Sequence, residues 1–226
     1  MNPGKLRIGV MTRTSFGEIH PECLAATTGA AKLLESLGHG IEDSYPEALL
    51  EPWDPNGPHT SPLKRVNVMF IRVLGEILGR PATREDVEPY LWSITELPPA
   101  TADEYLAAEI WLHRWRRRVV HWWSTGFDLL LTPTVWEPPA TLESMMAVEG
   151  KLAELSEKVI RHCFFTSPFN ITGQPAISLP LHWTREGFPA GVQLVGAMGR
   201  EDLLIRVAAQ LEQARPWIDR RPPVHA

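Results

Sequence analysis

Short apolar runs alternate along this chain with longer stripes of helical spacing. Leu6-Arg7-Ile8-Gly9-Val10 follows a Pro-Gly pair and is mostly apolar, which predicts a buried strand. Pro21 suits the first position of a helix, and Leu24, Leu33, Leu34 and Leu37 sustain an apolar face over residues 23–37 before Gly38 ends it. Ile41 then marks a second strand, so the first forty-odd residues read as a strand-helix-strand unit.

The middle of the chain is helical and punctuated by proline. Ser61-Pro62 predicts a helix start, and Leu63, Val66, Phe70, Val73, Leu74, Ile77 and Leu78 form an apolar face stopped by Gly79 and Pro81. Thr83 with Asp86 resembles another helix start. Thr101 with Glu104 has capping-box spacing and opens a long helix to about Ser124, before Gly126. Trp111, Trp115, Val119 and Trp122 recur at helical spacing along it, which predicts a core stripe.

Residues 127–132 are β-rich and end at Pro133, as a buried strand would if its following loop reached a ligand crevice. Residues 137–150 show no clear pattern. Helical spacing returns over 152–162. Residues 176–179 and 191–195 read as strands joined through a turn at 184–187, and Leu203, Leu204, Val207, Ala208 and Leu211 line a final helix over 201–213. The alternation predicts an α/β fold, a mixed β-sheet covered by α-helices. No internal repeat is present.

Composition narrows the function. With 226 residues, 44% of them hydrophobic and 22% charged, the chain can bury a core, which excludes a disordered or fibrous protein. A net charge of -5 gives no footprint for nucleic acid or an anionic membrane, so a small molecule is the expected ligand. Two cysteines, Cys23 and Cys163, make no disulfide framework and no zinc spacing. The polar start Met1 to Arg7 offers no signal-peptide core, and no run of about 18 apolar residues occurs. A soluble, cytoplasmic protein is expected, in which the sequon at Asn170 is structural.

Candidate nucleophiles are few. There is no GxSxG elbow. Ser61 and Lys64 could meet on one helical turn, but a serine before proline at a helix start is better read as a cap. Cys163, between His162 and Phe164, could become a thiolate if the fold turned Arg161 and His162 towards it; a buried, inert cysteine is the favoured reading. Glu109 and His113 sit at i, i+4 with His121 further along, too few ligands for a metal. Arg114, Arg116, Arg117 and Arg118 read as a solvated helix face. No phosphate-binding glycine loop occurs, so the residues alone identify no catalytic group.

Three late blocks add to this picture. They are Phe127-Asp128-Leu129-Leu130-Leu131-Thr132-Pro133-Thr134, then Ser167-Pro168-Phe169-Asn170-Ile171-Thr172-Gly173-Gln174-Pro175-Ala176-Ile177-Ser178-Leu179-Pro180, then Gly187-Phe188-Pro189-Ala190-Gly191-Val192-Gln193-Leu194-Val195-Gly196. In this order and spacing they resemble the C-terminal blocks of the amidase signature family. Residues 6–38 resemble the strand and helix that follow that family's serine-rich signature. Residues 84–136 and 199–216 are most similar to the branch containing 6-aminohexanoate cyclic-dimer hydrolases.

The resemblance implies an amidase, cleaving carboxamides or small cyclic amides without metal or cofactor. Its nucleophilic serine, cis-peptide serine and lysine belong to the family's N-terminal half, so no catalytic residue is assigned here. Residues 1–226 are expected to form one C-terminal portion, inactive alone, whose partner is a complementing N-terminal half or a second copy in a homodimer. The resemblance also implies a substrate wall at Cys163, Thr166 and Ser167, with Thr134 and Trp136 on the loop after the Leu131 strand; core packing is the alternative for each. A half-sheet with one uncovered face and an unpaired edge is expected. A non-catalytic binding or assembly module is the second reading, prompted by Met1 standing just before a strand.

Overall fold

The computed structural model describes residues 2–15, 17–51, 67–96, 98–146 and 152–221. Its frame is a mixed five-stranded sheet built from β1 (Arg7–Val10), β2 (Gly40–Asp43), β3 (Leu129–Pro133), β4 (Ala176–Trp183) and β5 (Pro189–Gly196), in the order β2-β1-β3-β5-β4. β1 lies parallel to both β2 and β3, with Ile8 opposite Ile41 and Leu129. β5 runs antiparallel to β3 and β4. The helices are α1 (Pro21–Ser36), α2 (Asn67–Leu78), α3 (Pro89–Ser93), α4 (Ala102–His121), α5 (Leu142–Met146), α6 (Leu152–Cys163), α7 (Ser167–Thr172) and α8 (Glu201–Ala214).

Strand alternation divides the core. Leu129 and Leu131 join Ile8 and Leu194 against Ala30 and Leu34 of α1 and Val207 and Leu211 of α8. Leu130 and Val195 face the other way, onto Trp115 and Val119 of α4, Phe165, and Phe169 of α7. Helices therefore cover both faces, so the expected uncovered sheet face is corrected. The chain's own α4 and α7 supply the second layer. The apolar stripe of α2 forms but stays open: Phe70, Val73 and Ile77 are exposed while Ile71 is buried. Its expected start at Ser61 and Pro62 lies outside the described residues.

Local chemistry explains the boundaries. The Thr101/Glu104 capping box opens α4 as its spacing predicts, and a 3-10 turn, Trp122–Thr125, carries it to Gly126, whose φ of +96° closes the helix. Thr83 and Asp86 also make a capping box, on a single 3-10 turn, Arg84–Asp86. β4 continues past Pro180, where the pattern predicted its end near Leu179. It is an edge strand, and its register with β5 is irregular between Leu179 and His182, so the missing proline N–H costs no ladder bond. Neither α7 nor α5 is predicted by periodicity, because six and five residues are too few to show any.

One glycine is sterically required. Ile8 and Val10 belong to the α1 side of β1, leaving Gly9 to face the aromatic side, where a Cβ would overlap the Ser44 carbonyl and the Trp122 ring. Gly9→Ala is expected to destabilise the fold by about 1–3 kcal/mol in urea melts, the usual result of overpacking. Gly29 in α1 has no atom near its would-be Cβ. Gly29→Ala should instead be neutral or stabilise by about 0.5–1 kcal/mol.

Candidate substrate-binding site

The carboxyl ends of the parallel strands β1 and β3 lie at the same end of the sheet, the position where open α/β sheets bind ligands. One buried amide fixes the backbone there, and a second does so at the opposite end of β3. Gln193 on β5 donates from Nε2 to Thr132 Oγ1 at 3.1 Å and to the Phe165 carbonyl at 2.7 Å, which ties β3 and the segment entering α7 to one strand. Gln174 donates to the Gly196 carbonyl at 3.0 Å and accepts from Thr172 Oγ1 at 3.1 Å. Gly173, at φ +77°, lets the chain turn between α7 and β4.

Beneath α6 and α7 is a cavity of about 200 Å³. Leu49, Trp115, Ile160, Phe164, Pro168 and Ile171 give it apolar walls, with Cys163 and Ser167 on the α6–α7 side and Glu51 as the charged member among the described lining residues. The 3-10 turn Glu47–Leu50 is held against α4 by the Trp115 indole N–H, which donates to the Ala48 carbonyl at 2.9 Å. Arg118 donates Nε and Nη2 to the two oxygens of Glu51, at 3.1 and 2.5 Å.

Two of the five expected site residues, Cys163 and Ser167, share this cavity, both half-buried. Thr166 between them turns inward: its N–H and hydroxyl both donate to the Cys163 carbonyl, at 3.1 and 3.3 Å. Thr134 does not line this cavity; it follows β3 at the carboxyl end of the strand, its hydroxyl 2.7 Å from Ser178 Oγ, above Gly191, where a Cβ would come within 2.7 and 2.9 Å of those two oxygens. Trp136 is buried, its indole N–H donating to the Glu18 carbonyl, and its ring meets Phe164 edge-on at 6.1 Å. It thus stands behind a cavity-lining residue.

The groups that could activate the Cys163 thiol are engaged elsewhere. Arg161 binds Glu157 at 2.8 Å and lies over the Trp136 ring at 5.2 Å. His162 contacts the Lys158 carbonyl at 3.1 Å and Glu137 at 3.7 Å. Burial pushes the Cys23 thiol up to about 11, with Glu137 and Glu22 adding to the rise. Glu109 and His113 are 3.8 Å apart on an exposed helix face, and no group of three metal-ligating side chains occurs among the described residues. Ser61 and Lys64 lie outside the described residues.

Sequence reasoning missed Leu49, Glu51, Ile160, Phe164 and Ile171 as cavity residues, and took Trp115 for core alone. Ala48 and Trp115 are 67 positions apart, so no local signature could have joined them.

The amidase family model matches residues 1–205. The chain belongs to the amidase family. It is 43% identical to the 6-aminohexanoate-cyclic-dimer hydrolase of Pseudomonas sp. (strain NK87), over 98% of this chain and 46% of that protein. The enzyme of that name from Paenarthrobacter ureafaciens is 42% identical, with the same coverage. A solved structure of 6-aminohexanoate cyclic dimer hydrolase complexed with substrate superposes with a TM-score of 0.89 at 40% identity, covering 99% of this chain and 48% of that one. The chain spans about half the length of these relatives and corresponds to their C-terminal half. No described helix is long and apolar enough to cross a membrane.

In this amidase chain a hydrogen-bonded Glu–His pair joins the start of α1 to β4. Glu22 accepts from His182 Nε2 at 2.7 Å and from the Arg185 N–H at 3.5 Å. The His182 hydrogen bond holds the Glu22 carboxyl below its ordinary range, against the desolvation that raises it. A carboxyl lowered on folding stabilises the fold above its unfolded pKa and loses that effect as pH falls through the folded value. The thermal midpoint should therefore drop on acidification from about pH 5 to pH 3. Glu22→Gln should make that drop shallower; an unchanged slope would remove the pair from the acid response.

Proposed function

We propose that this chain walls the acyl side of the substrate in an amide hydrolase acting on carboxamides or small cyclic amides. The nucleophilic serine, the cis-peptide serine and the lysine that the family resemblance implies are supplied by sequence outside these 226 residues. The observation that carries the proposal is the apolar cavity containing Cys163 and Ser167, at the junction of α6 with the α7 block by which the sequence resembles amidases. Two hydrolase relatives named for a cyclic amide, matched over 98% of this chain, support the substrate class.

Cys163 and Ser167 form the wall in this reading, and Thr134 with Ser178 a separate hydroxyl shelf. Thr166 and Trp136 hold the wall from behind. Cys163 is a wall residue and not the nucleophile, since Arg161 and His162 are paired with other groups and Cys163 faces apolar neighbours. The complementing half is the expected partner. It would cover the exposed side chains of α2 and pair the sheet edges at β2 and β4.

The test is reconstitution. The 226-residue chain alone should hydrolyse neither aliphatic nor aromatic amides, and co-expression with the complementary half of the Pseudomonas relative should restore turnover. A stable, monomeric chain that gains no activity from the complementary half would favour the non-catalytic module. In the reconstituted enzyme, Cys163→Ala should raise KM or shift chain-length preference by roughly fivefold, about 1 kcal/mol of lost contact, with kcat retained. Complete loss of turnover in a folded variant would make Cys163 a catalytic group and overturn the wall assignment.

A further inference from the structure

The cavity's single described charge suggests which end group an acyl chain carries into it. We infer that Glu51 is a specificity-determining residue that selects unbranched aliphatic amides bearing an ammonium group at the far end. This rests on the reading of the cavity as the acyl site. With a water-sized unit occupying about 30 Å³, the space of about 200 Å³ accommodates roughly six or seven groups of methylene size. Leu49, Ile160, Phe164 and Ile171 offer such a chain apolar contact and nothing to bond a polar end.

Glu51 does offer a bond. Its side chain is 39% exposed, so it is neither sealed in the core nor fully solvated, and it borders the cavity. Arg118 takes one hydrogen bond on each carboxylate oxygen. A carboxylate accepts about four, so two acceptor positions are left for a ligand N–H. A ligand carboxylate would meet the opposite situation. Arg118 is not among the lining residues, its Nε and Nη2 are occupied by Glu51, and the charge facing the cavity is negative. The indole N–H of Trp115 is engaged with Ala48. The end group favoured by this arrangement is cationic.

The probes are hexanamide, 6-aminohexanamide and adipamic acid, titrated into the 226-residue chain by calorimetry or NMR. The amine should bind about threefold to tenfold more tightly than hexanamide, as a partly exposed ion pair allows, and the acid more weakly. Glu51→Gln should abolish that preference, read as the ratio of the amine's affinity to that of hexanamide. Arg118→Gln removes the same ion pair but leaves the carboxylate, so it should strengthen the preference; a change in the same direction as Glu51→Gln would reduce Glu51 to a structural role and overturn the inference. Cys163→Trp should fill the cavity and abolish binding of all three.

Equal affinity for hexanamide and its amine, or a preference that survives Glu51→Gln, overturns the end-group assignment and leaves the acyl site standing. Absence of binding by every probe, or binding indifferent to Cys163→Trp with the circular dichroism unchanged, overturns both.

Discussion

The site depends on one buried side chain. Gln193 points from β5 into the layer beneath α7, where its amide nitrogen holds Thr132 of β3 and the Phe165 carbonyl together. Because the amide is buried, losing either acceptor would leave a polar group unpaired at a cost of about 1–3 kcal/mol. That penalty fixes the backbone entering α7, which sets where Phe164, Cys163 and Ser167 stand relative to the sheet. Gln174 repeats the arrangement at the exit of α7 with the Gly196 carbonyl. The short helix therefore owes its position to two glutamines and not to its own propensity, since six residues are too few to be stable as an isolated helix.

This also explains what could be read in the sequence. The first strand-helix-strand unit, α4 with its capping box, and α8 are legible because their signals lie within a few residues of one another. α7 is not, since its determinants are Gln193 and Gln174 acting across the sheet. β4 outruns its expected end because being an edge strand removes the objection to Pro180, and edge position is a property of the whole sheet. The amidase blocks carry Gln174 and Gln193 within them, which is why family likeness pointed to the segment that lines the cavity when residue chemistry did not. Even so, the blocks led to both Cys163, on the cavity, and Thr134, beside Ser178 at the carboxyl end of β3 and outside the cavity.

The electrostatics around the cavity fit the proposed role of a binding wall. Cys23 is kept protonated by burial, so it brings no nucleophile at neutral pH. Of the neighbours of Cys163, Arg161 is paired with Glu157, and His162 contacts Glu137 and the Lys158 carbonyl. The charges that do converge near the sheet end are tied to structure: Glu22 joins α1 to β4 through His182, and Lys158 donates to the Ser144 carbonyl at 2.7 Å. Chemistry on an amide needs a nucleophile, a proton carrier and donors for the oxyanion. The cavity's described lining supplies shape, an apolar environment and one carboxylate.

The surface left open follows the same division of labour. Both faces of the sheet are covered by the chain's own helices. Among the described residues, exposed apolar side chains include Phe70, Val73 and Ile77 on α2 and Leu106 and Ile110 on the early turns of α4, and β2 and β4 are the edge strands. Apolar side chains on successive helical turns are stable in water only at the cost of their hydration, and an unpaired strand edge invites another strand. The cavity between the 3-10 turn Glu47–Leu50, α4, α6 and α7 is lined by this chain's own residues, and the open flanks are where the proposed complementing half would dock.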